Sequence, residues 1–169
     1  MLTVVSDTHA TDDHCLTGRT LDAVRAAEFV VHAGDFTTET VLDAFLEENG
    51  SLAGVVGNND GPRVRDRLPS QRVVAAEGIR LVVVHGHEHT DTALDLLGRQ
   101  EGADLLVVGP SHRPGFREAG DVPVLNPGSH AQPRQYRPAH AELERDGDAV
   151  AGRLVDPDGT VFEEFRVGD

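Results

Sequence analysis

Five short apolar stretches, at residues 2–5, 29–31, 52–56, 79–84 and 105–108, each break off into residues able to hold a metal ion or move a proton. Asp7 and His9 follow the first, Asp35 the second, Asn58 and Asp60 the third, His85 and His87 the fourth, and His112 the fifth. Polar chemistry placed after strands, rather than before them, is the order expected where a site lies at the carboxyl ends of parallel strands. Nothing else in the chain restricts its fold as much.

Amphipathic segments separate the runs. Leu16, Leu21, Val24 and Ala27 recur at near-helical spacing, and Val41, Leu42, Phe45 and Leu46 form a second stripe, capped by Thr37 or Thr38 and stopped at Asn49-Gly50. Strand, helix, strand, helix, strand predicts an α/β fold with a parallel βαβαβ core. Residues 71–75 and 79–84 flank Glu77-Gly78 as a hairpin, and Asp91 opens a helix with Ala93, Leu94 and Leu97 on one side. Residues 122–125 form a short strand before Asn126-Pro127-Gly128-Ser129, while 10–18, 61–69 and 113–122 read as loops. The tail alternates apolar and polar residues across turns at Asp146-Gly147 and Asp158-Gly159, the pattern of a β-meander. A length of 169 residues suits one domain, 1–169, with a sizeable core.

Composition excludes several classes of function. A single cysteine forbids an internal disulfide, so Cys15 is an inert small hydrophobe or a free thiol. No stretch has the length of a membrane span and no signal-like segment precedes the first strand, so a soluble, cytoplasmic protein without membrane partners is expected. The net charge is -14, and all 15 basic residues are arginine. Such a surface repels polyanions and argues against a strong nucleic-acid-binding face. Acidic excess without lysine fits a salty cytoplasm, where a Debye length of roughly 3 Å at 1 M quiets self-repulsion; codon bias is the other source of arginine-only usage. Adaptation to salt predicts that molar KCl raises the melting temperature, by about 2–4 °C for each kcal/mol gained. A lowered melting temperature in KCl overturns it.

Side chains at i and i+2 on extended backbone point the same way, so Asp7 and His9 are expected to converge just past the first strand. Singly, each strand-end residue has a structural reading, as a helix cap, a histidine satisfied by backbone, or an Asn-Asp turn. Together they make the donor set of a metal centre. Carboxylate, imidazole and amide without thiolate suit Mn, Fe, Ni or Zn rather than Ca or Cu(I), with manganese the first expectation and one or two ions per chain.

The ordered set Asp7-x-His9, Gly34-Asp35, Gly57-Asn58-x-Asp60, His85-Gly86-His87 and Gly109-x-x-His112, closed by Asn126-Pro127-Gly128-Ser129, resembles the calcineurin-like metallophosphoesterase superfamily. Within it, the short single-domain phosphodiesterases of bacteria and archaea are most similar. The resemblance implies a four-layer α/β/β/α sandwich and a dinuclear site. Asp7, His9 and His112 would hold the first metal, Asp35 would bridge, and Asn58 and His85 would hold the second. Two ions roughly 3.5 to 4 Å apart would lower the pKa of a bridging water and clamp a phosphoryl group for in-line attack. The implied substrate is a small phosphodiester or phosphomonoester.

Two departures from the family pattern stand out. Members usually carry Gly-His-x-His where this chain has Gly109-Pro110-Ser111-His112, so a ligand of the second metal is missing. That site is weak or empty, completed by water, or rescued by the surplus at His87 and His89; a weakened site is the preferred reading, with His87 matching a residue just behind the ligands. Asn59 stands where larger members place a histidine that protonates the leaving group; Asn59 or Arg113 could bind a non-bridging oxygen in its place, with a solvated surface arginine the preferred reading of Arg113. Pro110 also supports a different class of function, a non-catalytic binding or scaffold module with a degraded site, as in the retromer subunit that shares the fold.

Overall fold

The computed structural model describes residues 1–118 and 120–168. Its elements are β1 (Leu2–Val5), α1 (Gly18–Ala26), β2 (Phe29–His32), α2 (Glu39–Glu48), β3 (Leu52–Gly54), α3 (Pro62–Arg67), β4 (Gln71–Ala76) and β5 (Ile79–Val84). There follow α4 (Asp91–Glu101), β6 (Leu105–Val107), β7 (Gly115–Arg117), β8 (Val124–Asn126), β9 (His140–Asp146), β10 (Ala149–Val155) and β11 (Val161–Val167).

The parallel core is divided between two sheets. β1, β2 and β3 are parallel, and the predicted meander β9-β10-β11 adds to the free side of β1, giving the order β11-β10-β9-β1-β2-β3. In the second sheet, β4-β5-β6-β8-β7, the parallel strands β5, β6 and β8 lie between antiparallel edges. Alternation along each strand then builds four layers. Leu2, Val4 and Val31 of the first sheet meet Leu81, Val83, Leu105 and Val107 of the second in a core between the sheets. On the outer face of the first sheet Val5 and Val30 pack against Val24, Val41, Leu42 and Phe45 of the helices. Val82, Val84 and Leu106 cover the other outer face with Leu94 of α4.

Local signals account for the element ends. Thr38, not Thr37, caps α2 by accepting from Val41 N (3.3 Å), and Thr90 caps α4 by accepting from Ala93 N (3.2 Å). Two expected loops are partly regular. Within 61–69 lies α3, started by Pro62 at its first turn. Within 113–122 lies β7, paired to β8 at Gly115–Asn126. The third strand stops at Gly54, short of residue 56. Among the described residues no helix is long and apolar enough to cross a membrane.

Candidate metal centre

The carboxyl ends of β1 and β2 in one sheet and of β5 and β6 in the other face the same spot. There the structure gathers Asp7, His9, Asp35, Asn58, Asn59, His85 and His112. Two groups emerge whose ligand atoms all lie within 4.8 Å of one another: Asp7, His9 and His112, and Asp7, Asp35 and His85. Asp7 Oδ1 lies 3.3 Å from His112 Nε2, 3.6 Å from His9 Nε2 and 3.8 Å from His85 Nε2. Asp35 Oδ2 lies 3.2 Å from His9 Nε2 and 3.3 Å from His85 Nε2. Both carboxylates therefore stand between the groups, where the sequence assigned that place to Asp35 alone. Asn58 Oδ1 stands beside the second group, 3.0 Å from His85 Nε2.

Asp7 and His9 do converge, but not along extended backbone. The strand ends at Val5, and both residues are in left-handed conformation, φ 53° and 42°; Asp35 (64°) and His112 (60°) are too. Such backbone costs roughly 1–3 kcal/mol per residue and persists only where the surroundings hold it. Hydrogen bonds between loops do so here: Asp7 N–H donates to Gly34 O (2.9 Å) and His9 N–H to Asp35 O (3.1 Å).

A second circle of groups aims the side chains. His85 Nδ1–H donates to Ala33 O (2.8 Å), tying one sheet to the other, and His112 Nδ1–H donates to Gln132 O (2.6 Å). In each case Nε2 is turned toward the carboxylates, the arrangement of a ligating imidazole. Ser6 Oγ–H donates to Asp7 Oδ2 (2.6 Å), and Ser129 Oγ–H to Asp7 O (2.7 Å). Asp60 accepts from the N–H groups of Asp35, Thr37 and Gly57, so it builds the loop and is no ligand. Gly57 and Gly109 leave room for the carboxylates: a Cβ at Gly57 would collide with Asp35, and one at Gly109 would stand 2.6 Å from Asp7 Oδ2.

Three residues named from the sequence take other places. Asn59 donates through its backbone N–H to Asp35 Oδ1 (2.8 Å) and through Nδ2 to Asp35 Oδ2 (2.9 Å), so its amide holds a carboxylate. His87 stands beside His85, ring centroids 5.4 Å apart, exposed and outside both groups. His89 is exposed on the groove beside the centre. The supports from Ser6, Ser129, Ala33 and Gln132 escaped sequence reasoning. Only Ser129 had a signal, as the end of the Asn126-Pro127-Gly128-Ser129 motif.

The donors fit a divalent ion. Asp7 Oδ1 is fully buried with no hydrogen-bond partner among the described residues, a condition worth about 1–3 kcal/mol when nothing compensates it. His9 and His112 bring their Nε2 atoms within 3.2 Å, a contact that a shared cation satisfies. The electrostatics point the same way. Burial pushes the Asp7 carboxyl up, but His112, His9, His85 and Ser6 together hold it at about 2. Burial opposes the charge on His9, yet Asp35 and Asp7 raise it to about 9. Burial likewise opposes His85, and Asp35 and Asp7 prevail to raise it.

A consequence follows for metal uptake. With its folded pKa at about 9, His9 carries a proton at pH 7 when no ion is bound, and an ion must displace it. Calorimetry in buffers of different ionisation enthalpy is expected to show release of about one proton per chain at pH 7, shrinking as pH passes 9. Binding at pH 7 without proton release overturns this. In the metal-free fold the contribution of His9 to stability is fully present below about 6.5 and is lost as pH rises through about 9.

Comparison with known proteins places this geometry among relatives. A calcineurin-like phosphoesterase superfamily domain matches residues 1–146. A probable metallophosphoesterase of Methanothermobacter thermautotrophicus is 34% identical over 159 residues, covering 92% of this chain and 91% of that protein. A phosphodiesterase of Methanocaldococcus jannaschii is 27% identical over 139 residues, covering 74% of this chain and 81% of that protein. Among solved structures, Vps29 of Entamoeba histolytica complexed with zinc shares the fold with a TM-score of 0.77 and 22% identity, over 98% of this chain and 97% of that one.

Proposed function

The chain belongs to the calcineurin-like phosphoesterase superfamily, and from that premise we propose that it is a metal-dependent phosphodiesterase. The observation that carries the reading is the pair of buried carboxylate oxygens, Asp7 Oδ1 and Asp35 Oδ2, set among three imidazole Nε2 atoms. Asp7, His9 and His112 would hold one ion, Asp35 and Asp7 would be shared, and His85 and Asn58 would hold a second. Manganese is the preferred metal, with nickel, iron or zinc compatible with the same donors. Bound ions of this kind supply an activated water and neutralise phosphoryl oxygens.

The protein's own part is positioning. Asn59 fixes both oxygens of Asp35, Ser6 fixes Asp7, and Ala33 and Gln132 orient His85 and His112. Among the described residues, the gathered groups hold no imidazole beyond the three ligand candidates, and His87 stands outside them beside His85. General acid help is worth about 10² to 10⁴ in rate, so substrates with good leaving groups are favoured.

The test is hydrolysis of bis(p-nitrophenyl) phosphate with added Mn²⁺ or Ni²⁺. His9→Ala is expected to lose most of that activity, and full activity in this variant refutes the site. A second reading, a binding module that keeps the fold, is favoured by Pro110 in a ligand's expected place. A metal count helps to separate the two: none per chain supports the module, two support the enzyme, and one is compatible with a reduced enzyme.

A further inference from the structure

A groove of about 540 Å³ runs along the outer face of the second sheet, between the start of α4 and the edge strand β7. Its inner end is formed by Gly86, Gly109 and Pro110. The backbone of Gly109 lies against the proposed centre: a Cβ there would stand 2.6 Å from Asp7 Oδ2 and 2.9 Å from His85 Nδ1. The groove therefore adjoins the ligand candidates across the backbone of Gly109, although none of them lines it. Leu94, Val108 and Val124 give it apolar walls.

Much of its polar lining is already committed. Arg117 is held by Asp91 (2.7 Å), Glu163 accepts from Phe116 N (3.0 Å), and the amide of Asn126 bonds to Gly109 O and Ser111 Oγ. Two donors remain. The guanidinium of Arg113 has no ion pair or hydrogen bond among the described residues, although the chain carries a net charge of -14. The Ser111 oxygen already accepts from Asn126 Nδ2 (3.1 Å) and Arg113 N (3.2 Å), so its hydrogen is free to donate.

Apolar walls with the Ser111 and Arg113 donors in the same lining match one part of a diester. A monoester has nothing to place there, whereas a diester carries a second substituent on phosphorus. Small-molecule sites run from about 300 to 1,000 Å³, so the groove has room for a nucleoside-sized group. We propose that it binds the second ester substituent of a small phosphodiester, a flat, apolar-bodied group of about nucleoside size, with Arg113 and Ser111 donating to oxygens next to the phosphorus. The groove is then what makes the site prefer diesters. Hydrolysis adds water across one ester bond: the water oxygen joins phosphorus, the ester oxygen leaves with the proton, and a monoester and an alcohol result. This rests on the phosphoesterase reading above.

Gly115 provides the test. It shares the groove side of β7 with Arg117, because Phe116 between them stacks inward on Phe165 (4.5 Å, 9°). A Cβ at Gly115 meets nothing within 4 Å, and its backbone is not left-handed. Gly115→Trp therefore fills the groove without entering the core. It is expected to lower kcat/KM for bis(p-nitrophenyl) phosphate by about tenfold or more relative to p-nitrophenyl phosphate. Metal content and melting temperature should match the wild type. Arg113→Ala should instead raise KM for both substrates, since each offers oxygens on phosphorus to the guanidinium. In the metal-free protein, bis(p-nitrophenyl) phosphate should shift the amide NMR signals of Gly115 and Arg117. An active wild type whose ratio stays within about twofold in Gly115→Trp, without those shifts, overturns this inference alone. A wild type inactive on both substrates with Mn²⁺ and Ni²⁺ overturns the phosphoesterase reading and this inference with it.

Discussion

Asp35→Asn is expected to lower kcat/KM for an activated diester by about 10³-fold or more, with the fold intact. The substitution keeps the shape of the side chain and removes its charge. Asp35 Oδ2 faces both His9 and His85 at 3.2 and 3.3 Å, so, with Asp7 Oδ1, it joins imidazoles of both groups. A neutral amide there also turns an N–H donor toward the backbone N–H of Asn59 in one flip, and toward its Nδ2 donor and the imidazoles in the other. Metal content should fall together with activity, which separates loss of the ions from loss of a later step. Asn59→Ala makes the graded comparison: the backbone N–H of residue 59 still holds Asp35 Oδ1, so only the Nδ2 bond is lost. Removing such a supporting bond costs about 10 to 100-fold. Activity and metal content near wild type in Asp35→Asn would remove Asp35 from the centre.

The layout of this centre was legible because parallel strands put their carboxyl ends together, and that rule acts on sequence order alone. Asp7, Asp35, His85 and His112 each follow a buried apolar run, and the structure brings all four to one place. The means of convergence was not legible. Extended-strand geometry predicts the approach of Asp7 and His9, yet both are past the strand and in left-handed backbone, a conformation imposed by contacts with Gly34 and Asp35 from another strand end. The supports were hidden for a similar reason. Gln132 holds His112 through a backbone carbonyl, which any residue type supplies. His32 shows the opposite error that a ligand-like residue invites. It follows an apolar run as Asp7 does, but it is fully buried, stacked on Phe36 at 3.6 Å, and burial lowers its pKa to about 3. The helix α3 had a usable signal in Gly61-Pro62, but its six residues offer too little periodicity to register. β7, at three residues, has none.

Pro110→His is the substitution expected to increase activity. The two groups are unequally supplied: Asp7, His9 and His112 give the first an anion and two imidazoles, whereas His85 is the only imidazole of the second, beside the carboxylates and the Asn58 amide. Residue 110 is in position to change that. Gly109 N–H donates to His85 O (2.9 Å), and the ring of Pro110 packs near Gly86, so the two loop ends run side by side next to His85. A histidine there brings a second imidazole to the weaker group. The expected result is a rise in bound metal toward two ions per chain and, at limiting metal, turnover higher by about 10-fold or more, since loss or gain of such support moves affinity by about 10 to 100-fold. Pro110→Ala is the necessary control. It frees the backbone just as the histidine does, which alone shifts stability by roughly 0.4–1 kcal/mol, but it offers no donor. A gain in metal and turnover with histidine and not with alanine assigns the effect to the imidazole. No change in either variant means that Pro110 does not stand in a ligand's place, and the limited supply around His85 is then the working form of the site.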